Sequence, residues 1–117
     1  MSEHISSQFE NDILQINVNL TKMGGICEDN LKKAIKAITK NDSELAEYII
    51  KKDEELNALE SEIDDLVIKT IALRQPVADD LRLLFAAIKI SSAFERIGDL
   101  IKNIGKRTLL ISEEQPI

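Results

Sequence analysis

From Phe9 onward, apolar side chains recur at spacings of three and four: Phe9, Ile13, Ile16, Leu20, Met23, Cys27, Leu31, Ala34 and Ile38. Such a series is one face of a helix. Gly24 and Gly25 each weaken a helix by about 1 kcal/mol relative to Ala. The phase nevertheless runs unbroken through them, so one helix is predicted over residues 6–39. Thr39 to Ser43 interrupt the pattern, and Asn41 stands three residues before Glu44 as in a capping box, which starts a second helix near residue 43. Its seam is Leu45, Ile49, Leu56, Leu59, Ile63, Val67 and Thr70. It ends near Leu73, because Pro76 disfavours the α conformation at Gln75 and has no backbone donor. Pro76 is itself expected to open a third helix, carrying Leu81, Leu84, Ile88, Ser91, Phe94, Ile101 and Ile104 and dissolving around Ser112 to Pro116. Three helices over residues 6–39, 43–73 and 76–110 are each about 50 Å long at 1.5 Å per residue. Joined by short turns, they predict an all-α, antiparallel up-down-up three-helix bundle in a single domain spanning residues 1–117.

On that framework, oxygen-bearing side chains stand out. Glu95, Asp99 and Asn103 follow one another at i, i+4 and i+8 on the face begun by Leu81, Leu84 and Ile88. The apolar duty passes sideways to Phe94, Gly98 and Ile101. Asp53, Asn57, Glu60 and Asp64 form a second such row, within an arc of roughly 60° on helix two. With the two helices antiparallel, the levels of Asp53 and Asn57 oppose those of Glu95 and Asp99, and Glu60 and Asp64 lie nearer the joint. Facing carboxylates must raise their pKa values or hold a cation. Carboxylate and amide oxygens without imidazole or thiolate suit a hard ion such as iron, manganese, magnesium or calcium. The same spacing also permits a plain solvated face, with Glu95 and Asp99 paired to Lys102 and Lys106.

Composition narrows the class. With 44% hydrophobic and 31% charged residues, three aromatics' worth per hundred and no Trp, the chain reads as a soluble helical protein. A net charge of −6 argues against nucleic acid, whose binders supply Lys and Arg to phosphates. Cys27 alone cannot form an internal disulfide, and the N-terminus lacks the basic-plus-apolar pattern of a signal peptide, so a reducing cytoplasm is the expected compartment. No apolar run approaches the roughly 20 residues that span a bilayer, so no direct membrane insertion is expected. Cys27 occupies a seam position and reads as a buried structural thiol, His4 as an inert residue of a frayed end. Arg74 and Gln75 beside Pro76 suit either a helix-end cap or a partner contact.

Four segments carry a family likeness: Met23-Gly24-Gly25 in the first helix, Ile71-Ala72-Leu73-Arg74-Gln75-Pro76 at the joint, Asp80-Leu81-Arg82 after it, and Phe94-Glu95-Arg96-Ile97-Gly98-Asp99 in the third helix. In order and spacing they resemble the PhoU family over nearly the whole chain. The resemblance implies two tandem three-helix repeats of PhoU or spectrin-like shape, of which this chain holds one, reading as an N-terminal half. It further implies a non-enzymatic regulator that negatively controls the phosphate regulon. That role links the phosphate ABC transporter ATPase subunit to a phosphate sensor histidine kinase at the inner membrane. Family E(D)xxxD motifs, which fit Glu60 with Asp64 and Glu95 with Asp99, imply a metal ion or multinuclear cluster, iron first, with manganese, magnesium or zinc as alternatives. Two copies pairing as a homodimer would mimic the missing repeat. Two other readings use the same residues: a ferritin-like di-iron oxidase, for which the internal histidines are missing, and a purely structural dimerisation module.

Overall fold

The structure, a computed structural model, describes the backbone of residues 2–114 and the side chains of residues 7–113. His4 and its expected inertness therefore lie outside the described side chains. Three helices, α1 (Ser2–Lys40), α2 (Ser43–Arg74) and α3 (Ala78–Glu114), run up, down and up in a rod of 70 × 17 × 15 Å. α1 passes straight through Gly24 and Gly25. No described helix is long and apolar enough to cross a membrane.

The buried positions follow a stricter repeat than the predicted seams. On α1 they are Phe9, Ile16, Asn19, Leu20, Met23, Cys27, Asn30, Ala34 and Ala37. On α2 they are Ala46, Ile49, Asp53, Leu56, Ile63, Val67 and Thr70, and on α3 Leu84, Ala87, Ser91, Gly98, Ile101, Gly105 and Thr108. Asn19 apart, alternating steps of three and four give a period of 3.5, the mark of a left-handed supercoil. A straight helix of period 3.6 drifts off that line by about 20° per heptad. Over α1 the drift places Leu31 and Ile38 outside, 42% and 41% exposed, where a core role is expected for them, and puts Asn30 and Ala37 inside. Ala46 and Ala87 likewise take the inner places expected of Leu45 and Ile88, which pack at the margin.

The helix ends differ from the expected chemistry by a residue or two. Asn41 adopts the left-handed conformation (φ 53°) that ends α1, and Asp42 caps α2, its carboxylate accepting from the Leu45 N–H at 3.1 Å. The cap is thus Asp42 and not Asn41, because a left-handed residue serves as a C-terminal stop. Losing this cap in Asp42→Ala is expected to cost about 1 kcal/mol. Thermal melting reads that as a midpoint lower by roughly 4 °C, and an unchanged midpoint would show that the bond contributes nothing. At the second joint Gln75 is left-handed (φ 48°, ψ 55°), and its N–H returns to the Ile71 carbonyl at 3.1 Å. That turn carries Pro76 and Val77 outside the helix, so α3 opens at Ala78 instead of Pro76. Arg74 closes the same end of the rod, donating to Asp12 Oδ2 at 2.9 Å and Gln8 Oε1 at 3.0 Å on α1.

The interior divides into two apolar clusters. One holds Phe9, Ile16, Leu20, Met23, Leu56, Ile63, Val67 and Leu84, the other Ala34, Ala37, Ala46, Ile49 and Ile101. Between them the inner positions are Asn30, Asp53 and Gly98, one from each helix. A polar layer therefore crosses the core there, and Asn30 Oδ1 is buried in it with no hydrogen-bond partner among the described residues.

Candidate metal centre

The acidic residues of α2 and α3 meet at the polar layer. Asp53 is 4% exposed, and Gly98 faces it from α3, where an added Cβ would stand 2.9 Å from Asp53 Oδ1. Glycine is thus what admits a carboxylate between the helices. Glu95 and Asp99 lie on the flank of α3 turned toward α2, while Phe94, Gly98 and Ile101 continue the inner seam. The acid that enters the core is Asp53, and the α3 carboxylates border it. One oxygen each from Asp53, Glu95 and Asp99 lies within 4.8 Å of the others.

The remaining candidates are arranged around this trio. The Asn57 amide rests against Glu95. With its nitrogen turned inward it donates to both carboxylate oxygens, at 3.2 Å to Oε2; that orientation is assigned by the bonding it permits. Glu60 sits partly buried on the next turn of α2 with Asp64 beside it, and its pKa is raised by burial, then by Asp64 and Asp99. Asn103 is not brought to this group. It is exposed and lines a shallow groove on the outer side of α3 with Leu100, Ile104 and Arg107.

Charge is poorly compensated here. Burial, then Glu60, Asp53 and Asp99, push Glu95 up from 4.5 to about 7 against the opposing pull of Lys102. Burial also raises Asp53, opposed by Lys102 and reinforced by Asp99. Among the described residues the sole ion pair entering the group is Lys102 Nζ to Asp53 Oδ2 at 3.8 Å; Glu95 and Asp99 have none. The solvated-face arrangement, with Lys102 and Lys106 neutralising Glu95 and Asp99, is therefore not what forms. Spacing along α3 alone could not show this, because the partner that attracts Lys102 comes from α2.

Those residues fit a hard cation. Carboxylate oxygens at three corners form an all-oxygen donor set, and the excess negative charge is what such an ion neutralises. Cys27 is no donor to it. Its thiol is buried, donates a hydrogen bond to the Phe94 carbonyl at 3.4 Å, and is pushed up by burial and by Glu95 and Asp53, which keeps it protonated and unreactive.

Comparison with known proteins places the chain in a family. The family model for the PhoU domain matches residues 20–108. The phosphate-specific transport system accessory protein PhoU homolog of Caulobacter vibrioides is 43% identical over 117 residues, covering all of this chain and 51% of the relative. The PhoU proteins of Serratia marcescens and Escherichia coli are 42% and 37% identical, covering 93% and 100% of this chain and 45% and 49% of their own length. The chain thus spans about half the length of these relatives. With most of α1 and α3 and all of α2 inside the matched segment, the chain belongs to the PhoU family.

Proposed function

We propose that this chain is a non-catalytic regulatory adaptor of phosphate transport whose α2/α3 groove holds a metal ion or small cluster, iron foremost. The observation that carries the metal reading is the gathering of Asp53, Glu95 and Asp99 within 4.8 Å, met among the described residues by one ion pair, from Lys102. Asp53, Glu95 and Asp99 would hold the ion, with Glu60 and Asp64 as the adjoining carboxylates and the Asn57 amide steadying Glu95. Bound there, the ion would supply the positive charge that lets these carboxylates stay ionised together. α2 and α3 would then be tied at their polar layer, fixing the outward face of the bundle for a protein partner.

The phosphate role is supported by the names of the relatives, each an accessory protein of the phosphate-specific transport system. In this reading the partners are the transporter's ATPase subunit and a phosphate sensor kinase, met at the cytoplasmic side of the membrane, with repression of the phosphate regulon as the outcome. The metal is tested by elemental analysis of protein purified without chelators, beside the double variant Glu95→Ala with Asp99→Asn. Wild type is expected to retain metal and to melt higher on iron addition, by an amount equivalent to about 2.7 kcal/mol at a hundredfold excess over Kd. Equal metal in the double variant would remove the site. The adaptor role is tested by retention of the ATPase subunit on immobilised protein, and no retention with metal present would end it.

A further inference from the structure

Surface lysines on α1 and α2 are answered within their own helix: Lys32 by Glu28 at 3.4 Å, Lys33 by Asp29 at 2.7 Å and Lys52 by Glu55 at 2.8 Å. Such lacing is the ordinary state of a solvated helix face. α3 departs from it. Between residues 81 and 112 it carries six lysines and arginines against two acids, Glu95 and Asp99, in a chain whose net charge is −6. Both acids border Asp53 of α2, and Lys102 turns the same way to meet it. Of the remaining cations, Lys89, Arg96 and Arg107 have no ion pair among the described residues, and Arg82 meets only Asp79, at 4.0 Å.

These cations form a line. Arg82, Lys89 and Arg96 follow at seven-residue steps, about half a turn around α3 from the buried Leu84, Ala87 and Ser91. Ala86, Ala93 and Leu100 take the intervening steps of three and four, all of them exposed, and no acid enters the line before it reaches Arg107 and Leu110. Two hollows open along it. One, of about 470 Å³, has Phe85 between Arg82 and Lys89; the other, of about 490 Å³, has Leu100 and Leu110 beside Arg107. Each combines an apolar floor with a cationic rim. The outward line of α2 has the opposite sign, with Glu44, Glu47, Glu54 and Asp65 against Lys51. The basic face is therefore a property of α3 and not of the rod as a whole.

We propose that the outer face of α3 docks an acidic helix of a protein partner, one bearing Asp or Glu at seven-residue intervals with small or apolar residues between. The proposal rests on the adaptor reading and supplies its contact surface. Charge complementarity sets the sign, since cations without acids of their own are neutralised only from outside. Spacing selects a helix. A seven-residue repeat stays in phase over the four turns from Arg82 to Arg96 only with another helix wound at the same period. A free anion or a bilayer makes no use of that phase. Ala86 and Ala93 leave the backbone open to the approach of about 8 to 10 Å at which helices pack, where a bilayer surface would draw on large apolar side chains. Phe85 and Leu100 lie about 22 Å apart along the axis, so one amphipathic helix reaches both hollows.

Fluorescence anisotropy tests this with the 117-residue chain and a labelled helical peptide of about four heptads, Glu at every seventh position and Ala and Leu at the steps between. Micromolar binding is expected, weakening about tenfold as salt rises from roughly 50 to 300 mM. Lys89→Glu with Arg96→Glu should raise the dissociation constant about 100-fold by setting like charges against each other, while circular dichroism shows the helices intact. Lys32→Glu with Lys51→Glu makes the same change in net charge at exposed positions of α1 and α2, and should leave binding within about twofold. No binding overturns the proposal, as does equal binding of a peptide of the same composition with its Glu out of register, or equal loss in the two double variants. Capture on mixed phosphatidylcholine and phosphatidylglycerol vesicles, abolished by the α3 variant and unaccompanied by peptide binding, assigns the face to a membrane and overturns it too. The adaptor role is judged by the ATPase subunit and this contact by the peptide, so the two fail separately.

Discussion

Metal-free protein is expected to lose about 1 to 3 kcal/mol of unfolding free energy as pH rises from 4.5 to 8, at 1.36 kcal/mol per pKa unit reduced for the partial exposure of the group. The cause is Glu95. Its carboxyl titrates near 7 in the folded chain and at 4.5 when unperturbed, so between those values the folded state holds a proton that the unfolded state has released. The stability is fully present below 4.5 and is lost as pH passes through about 7. Asp53 and Glu60, both raised chiefly by burial, add to the decline from the lower end of the window. Asp29, held low by its bond to Lys33, works the opposite way but lies on open surface. Urea unfolding in the presence of a chelator at pH 5 and pH 8 measures the difference. Glu95→Gln, which keeps the shape and removes the charge, should flatten most of it. A wild-type chain equally stable at both values would contradict the crowding of charge at the polar layer.

Gly98→Val should be the most damaging single substitution in the groove, lowering stability by about 2 to 4 kcal/mol through overpacking. A Cβ there would overlap Leu56 Cδ2 and stand 2.9 Å from Asp53 Oδ1. Neither neighbour has room to withdraw, since Leu56 is 1% exposed and Asp53 is held against Lys102. Gly25 supplies the comparison. Nothing lies within 4 Å of a Cβ at Gly25, so Gly25→Ala should bring only the helix-propensity gain of about 1 kcal/mol. Paired thermal melts decide it, and a Gly98 variant that melts with wild type would mean the helices are not in close contact at this level.

The three helices, their order and the two joints were legible because steps of three and four persist over more than thirty residues, a signal that turns and strands do not produce. Individual core positions were less so. Taking the period as 3.6 carries the reading onto Leu31 and Ile38, whereas supercoiling keeps Asn30 and Ala37 inside. A bias toward apolar residues compounds the error, since Asn30 and Asp53 look like surface until the packing of three helices is known. The two oxygen-bearing rows could be found by counting, and the levels of Asp53 and Asn57 against Glu95 and Asp99 followed from the antiparallel joint. What counting could not reach was which acid enters the core and which lysine meets it. Both depend on Gly98, whose significance is a distance between two helices.

Among the described residues α1 contributes no carboxylate to the acidic group, yet it indexes the group's geometry. The Phe94 ring beds on the bare backbone of Gly24, and the carbonyl of Phe94 receives the Cys27 thiol. These two contacts fix the azimuth of α3 one residue before Glu95. Like a key in a shaft, they set the angle at which the carboxylates are presented, so the first helix governs the aperture of a groove it does not line.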